Sequence, residues 1–199
     1  MQFTKDRISF LSEGTKCSGY LYLPTNNSRN GPCILLANGF SGTMDYRLPQ
    51  FAERFVLEGF CVLIFDYRFF GESEGEPRQL IVTNKQREDI RNVIRFLKQQ
   101  ENLNPEKIVL WGASLGGGHV IDVAASDPSI AAVIGLVPGI DMVTRKAKAT
   151  IKIPTGMLLR ILLAALWDGI KGKFGLNPYY IKVFGFNSET AVFTSKELK

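Results

Sequence analysis

The chain has 199 residues, with 24 Lys and Arg against 19 Asp and Glu, and a hydrophobic share of 45%. That length supports one domain, or one domain with a small appendage, and the composition excludes a disordered or fibrous chain. The basic excess is local: residues 145–199 hold 10 basic and 3 acidic side chains, residues 1–144 hold 14 and 16, and a nucleic-acid-binding body is thereby disfavoured.

Residues 7–12 and 15–23, separated by Glu13-Gly14, predict a hairpin of two antiparallel strands. Pro24 to Pro32, rich in Asn, Ser and Gly, predicts a loop, which also holds the sequon Asn26-Asn27-Ser28. Cys33–Ala37 is a continuous apolar run of the kind a strand covered on both faces carries. Residues 46–58 show helical spacing, with Leu48, Phe51, Phe55 and Val56 on one face and Gly59 as the stop. Phe60–Phe65 predicts a second buried strand, and 71–82 a loop. Residues 84–100 predict a helix with Ile90, Val93, Ile94 and Leu97 as its stripe and charges on the other face.

Lys107–Trp111 predicts a third buried strand, central in the sheet, followed by a helix over Gly116–Ser126 and a fourth buried strand over Ile130–Val137. Strands alternating with helices through short loops predict a mostly parallel sheet with helices on both faces, a three-layer α/β/α sandwich. After Pro138 the alternation stops. Residues 157–167, MLLRILLAALW, are almost wholly apolar, and 171–199 show no clear period. The expected organisation is therefore 1–144 as the α/β body and 145–199 as a separate basic and apolar segment.

Cys17, Cys33 and Cys61 lie in or beside strand-like runs without metal-ligand spacing, so buried thiols, no metal and no cofactor are expected. The opening MQFTKDRISF has no apolar signal core, and no run reaches the ~18 apolar residues of a membrane span, so a cytoplasmic chain is expected.

The segment richest in chemistry is Gly112-Ala113-Ser114-Leu115-Gly116, a G-x-S-x-G pentapeptide between a buried strand and a helix. A serine on so sharp a turn is pushed out above the carboxyl end of the sheet, and the flanking glycines leave room for the neighbouring chain. The following helix N-terminus would favour a developing oxyanion. No G-K-[ST] or G-x-G-x-x-G spacing supports a phosphate cradle.

With Leu36-Ala-Asn-Gly-Phe-Ser-Gly42 and Asp66-Tyr-Arg-Phe-Phe-Gly-Glu-Ser-Glu-Gly75, this segment resembles the α/β-hydrolase superfamily over roughly residues 7–140, nearest its esterase, peptidase and dienelactone-hydrolase-like members with a cap after strand six. The resemblance implies Ser114 as nucleophile and the Phe40 and Leu115 N–H groups as the oxyanion hole. Asn38 replaces the family's usual His, a change a backbone donor tolerates, and Phe69 replaces a usual Gly. It implies an architectural role for Asp66, bonded to nearby backbone. It also implies a sheet of about six strands here, lacking the family's last two, which carry the acid and the histidine.

The sole histidine, His119, lies five residues after Ser114 on the same helix, so it is expected to pack between helices and not to act as the base. Asp141 stands where some members place the acid, but a loop role is the expectation. Residues 157–167 would be a cap helix over a hydrophobic substrate or a membrane-surface helix. Three functions stay open: an incomplete or inactive serine hydrolase for an ester or amide of a small or hydrophobic substrate, a non-catalytic ligand-binding protein, and a membrane- or partner-binding module. The uncharged strand Ile130–Val137 is expected to leave an exposed edge open to a complementing C-terminal fragment or to self-association.

Overall fold

A computed structural model describes residues 2–25, 31–101, 103–139, 155–186 and 189–195. The sequon, the basic stretch 145–152 and Asp141 lie outside the described residues. The chain divides into two compact units, Met1–Arg145 and Lys146–Lys199.

In the first unit β1 (Phe3–Ser12) and β2 (Thr15–Pro24) form the hairpin, longer at its open end than the apolar pattern indicated. β3 (Gly31–Ala37), α1 (Leu48–Leu57), β4 (Cys61–Phe65), α2 (Thr83–Lys98), β5 (Leu103–Ala113), α3 (Leu115–Ala125) and β6 (Ile130–Leu136) follow. The sheet order is β1-β2-β4-β3-β5-β6, with β4, β3, β5 and β6 mutually parallel. β5 is therefore an inner strand, but second from the edge and not central.

Alternate residues of the inner strands build two cores. Cys33, Leu35, Leu63 and Leu110 pack with Ile90 and Val93 of α2 and Val120 of α3. Ile34, Leu36, Val62 and Trp111 pack with Leu48, Ala52 and Val56 of α1 on the opposite face. Helices on both sides of a mostly parallel sheet make the α/β/α sandwich. Burying each of the Leu, Ile and Val side chains among them contributes roughly 1.5–3 kcal/mol.

Local details differ from the sequence pattern for physical reasons. The buried stripe of α1 is Leu48–Ala52–Val56, spaced by four, while Phe51 sits at its border and meets the Trp111 ring at 4.9 Å. Gly59, at φ 92°, ends α1: its N–H bonds the Val56 carbonyl and that of Phe60 bonds Phe55, a closure that needs a left-handed residue. In α2 the stripe also takes in Gln86 and Asp89, so not every charge faces water. β6 has the apolar composition of a covered strand, and five of its seven residues are exposed, in line with the exposed edge expected there. Cys17, Cys33 and Cys61 are all buried and unbridged.

The second unit holds α4 (Thr155–Lys173) and a parallel pair, β7 (Lys182–Phe186) and β8 (Ala191–Ser195). The pair lies within residues 171–199, where the sequence shows no clear period. Among the described residues no helix is long and apolar enough to cross a membrane.

Candidate active site at the Ser114 elbow

Ser114 is the single residue between β5 and α3, and its backbone stands at φ 53°, ψ −122°. That region disfavours any residue with a Cβ and costs on the order of 1–3 kcal/mol. The turn is held from three sides: the Ser114 N–H donates to the Leu136 carbonyl (2.9 Å), and the Ser114 carbonyl accepts from Gly118 (3.2 Å) and Gly139 (2.8 Å). Its side chain is exposed and makes no capping bond to α3.

The elbow glycines are fixed by close approach. A Cβ on Gly112 would lie 2.4 Å from the Gly116 carbonyl oxygen, and one on Gly116 would lie 2.3 Å from that of Asn38. Loop 38–42 thus lies against the elbow, and a Cβ on Gly39 would stand 3.4 Å from the Ser114 Cβ. The ends of β3 and β5 thus bring Gly39 against Ser114, and Phe40 and Leu115 are their next residues in the chain. Leu115 opens α3, where the first backbone N–H groups have no partner within the helix.

Asp66 explains why the loop keeps its place. Its buried carboxylate accepts from the Met44 N–H (2.7 Å) and the Glu72 N–H (2.9 Å), tying the loops after β3 and β4 together. Burial raises its pKa, and those two N–H bonds oppose the rise. Gly71, at φ 47°, leaves the room that carboxylate occupies, since a Cβ there would lie 2.1 Å from its Oδ2. Phe69 adopts φ 75° where the family's Gly would sit without strain. Asn38 is buried; its Nδ2 donates to Phe65 O (3.5 Å), and its carbonyl accepts from the Tyr67 hydroxyl (3.4 Å).

His119 is 2% exposed, with its Nε2 at 3.0 Å from Gln86 Oε1 of α2 and its ring edge-on to Tyr67. Burial, and then the charge of Arg87, lower its pKa to about 4. It belongs to the α2–α3 contact.

Sequence reasoning missed a buried polar cluster. Arg68 Nε donates to Asp89 Oδ1 (2.6 Å), the Ser12 hydroxyl donates to the same oxygen (2.5 Å), and Arg68 Nη2 and Asn92 Nδ2 donate to Ser12 Oγ. Arg68 and Asp89 are 4% and 0% exposed. Burial raises the Asp89 pKa, against the pull of Ser12 and Arg68. The available signal was Asp89 itself, four residues before Val93 on the apolar stripe. An open surface cavity of about 550 Å³ adjoins this cluster, lined by Glu13, Arg68, Asn84, Lys85 and Glu88. It shares no lining residue with the elbow, and its mixed charges offer no nucleophile, so the strained serine is the better candidate site. Among the described residues no three His, Cys, Asp or Glu side chains gather as metal donors.

The family model described as alpha/beta hydrolase fold matches residues 32–155. The quorum-quenching protein AidA of Acinetobacter baumannii is 40% identical over 190 residues, 96% of this chain and 61% of that protein. The thiohydrolase aneE of Aspergillus aculeatus is 39% identical over 144 residues, 72% of this chain and 44% of that protein. Among solved structures, the alpha/beta hydrolase GrgF from Penicillium superposes with a TM-score of 0.77 at 27% identity, covering 94% of this chain and 61% of GrgF. The chain thus spans less than two thirds of these relatives. From the matched family model and from the elbow, loop and sheet order described above, the chain belongs to the α/β-hydrolase family.

Proposed function

We propose that Ser114 is the nucleophile of a serine hydrolase acting on an ester or amide of a small or hydrophobic substrate. The observation that carries this reading is the Ser114 backbone, strained at φ 53° between β5 and α3 with its side chain exposed. In this reading Ser114 Oγ bonds to the substrate carbonyl carbon while its proton leaves to a base. The carbonyl oxygen gains the negative charge and is held by the Phe40 and Leu115 N–H groups. Collapse breaks the bond to the alcohol or amine, which departs with a proton, and water then releases the acid from the acyl-serine. The relative named a thiohydrolase supports including thioesters among the bonds attacked.

A serine hydroxyl needs a proton acceptor. The sequence holds one histidine, and His119 is engaged by Gln86 on α2. These 199 residues are therefore expected to turn over activated esters feebly, at the residual ~10³–10⁴-fold over water that an oxyanion site leaves without a complete triad. A fluorophosphonate probe and p-nitrophenyl acetate test this. Labelling at Ser114 with slow turnover, lost in Ser114→Ala and kept in His119→Ala, is expected; an unlabelled, folded chain would sink the proposal. The engaged His119 also favours a second reading, a ligand-binding protein without turnover, for which acyl compounds would bind tightly and emerge unchanged.

A further inference from the structure

The covered stripe of α4 is Met157, Ile161, Ala164, Asp168 and Lys171, spaced by four and three, and within it only Met157 is fully buried. Two bonds hold that stripe within the second unit. The Thr194 hydroxyl of β8 donates to Met157 Sδ (3.6 Å), and Asp168 Oδ1 accepts from the Tyr179 N–H (2.7 Å). The larger apolar side chains point the other way: Leu158, Leu159, Leu162, Leu163, Leu166 and Trp167 are 44–62% exposed. At about 100° per residue they share one arc of about 180°, which Ile170 continues along the helix. The opposite stripe needs no strongly polar face, because protein covers part of it.

An apolar arc of this width calls for a cover, and charge decides which. Residues 145–199 hold 10 basic and 3 acidic side chains. Asp168 belongs to the covered stripe, and Glu189 pairs with Lys182 of β7. Arg160 and Lys171 follow Trp167 at one border of the arc, about 20° and 40° beyond it, and Lys173 ends the helix within the arc. A second copy laid on this face would bring the same cations together. A negatively charged surface with an apolar interior accepts both features, with leucines below its headgroups and Trp, Arg and Lys at their level.

We propose that α4 docks this chain on an anionic lipid bilayer. It lies in the plane of the interface, with the leucine arc in the acyl boundary and Arg160, Lys171 and Lys173 among the lipid phosphates. α4 does not reach the length and apolarity of a membrane-crossing helix, so it lies along the surface. Docking uses neither Ser114 nor its chemistry.

The test is co-sedimentation of the 199-residue chain with vesicles of phosphatidylcholine alone and of equimolar phosphatidylcholine and phosphatidylserine. Binding to the mixed vesicles should be at least tenfold tighter than to the neutral ones and should weaken as salt is added. Brominated phosphatidylcholine in the mixed vesicles should quench Trp167, because Trp111, the other tryptophan, is buried in the sheet. Leu162→Gln with Leu166→Gln, both at exposed positions, should weaken binding at least tenfold and leave the thermal melt unchanged. Lys171→Glu with Lys173→Glu should remove the preference for mixed vesicles. Leu11→Gln, at an exposed leucine of β1, should bind like the parent chain. No binding, equal binding to both vesicle types, or binding indifferent to the leucine pair would each overturn the proposal. So would a dimer that the leucine pair dissolves, found in place of vesicle binding.

Discussion

Gly116 stands so close to Asn38 that a Cβ on the glycine would lie 2.3 Å from the Asn38 carbonyl oxygen. The obstruction is backbone, so it cannot rotate away. Gly116→Ala must push loop 38–42 off the elbow, at a cost of about 1–3 kcal/mol. Urea unfolding should show that loss. Fluorophosphonate labelling of Ser114 should slow by at least tenfold, because the loop carries the proposed Phe40 donor. An unchanged unfolding midpoint would show that the elbow and loop are not in contact.

Ser114 sits in a backbone region that glycine enters without penalty. Ser114→Gly should therefore raise stability by on the order of 1 kcal/mol while abolishing labelling. Ser114→Ala keeps a Cβ and the strain, so it should abolish labelling with little change in stability. The comparison of the two variants by denaturant titration separates strain from chemistry. Equal stabilities would mean that the elbow is not strained.

The Arg68–Asp89 pair is buried with Ser12 and Asn92 around it. Asp89→Ala leaves the guanidinium buried without its carboxylate, a loss of roughly 3–5 kcal/mol. Replacing both partners with apolar residues, Arg68→Met with Asp89→Leu, should cost less than Asp89→Ala alone. A double variant less stable than the single one would contradict this account.

His119 supplies a pH signature. Its folded pKa of about 4 lies below the 6.5 of an unperturbed histidine, so the unfolded chain binds the proton more readily. Stability from this residue is complete above pH 6.5, falls as the pH drops toward 4, and levels off below that. The span corresponds to roughly 3 kcal/mol. Asp66 and Asp89, whose pKa values are raised, act in the opposite direction as the pH falls, so the measurement is a difference. Unfolding free energies of the parent chain and of His119→Gln, followed from pH 7.5 to 4, should converge as the pH falls.

The elbow was legible because its residues answer to backbone geometry: Gly112 and Gly116 are required by contacts under 3 Å, whatever surrounds them. Inner strands were legible too, since β3 and β4 are covered on both faces and are written in apolar residues throughout. The apolar run 130–136 is written like a covered strand, and its exposure follows from its neighbours: β6 stands at one end of the sheet order among the described residues. Asp89 escaped notice because its partner Arg68 arrives from a loop 21 positions earlier, outside any helical period. The β7–β8 pair consists of five-residue strands, too short to establish an alternation.

The three cysteines have a practical consequence. Burial pushes the Cys17 thiol up to about 12 and raises Cys33 well above the ordinary thiol range, so both are shielded and protonated. A thiol reagent should modify the native chain only as fast as its interior opens, which turns a simple colorimetric assay into a clock for opening. A cysteine introduced at Val137, 90% exposed beside the end of β6, would by contrast react at once. One dye placed there, with no need to remove the native thiols, would report directly on the surroundings of that position.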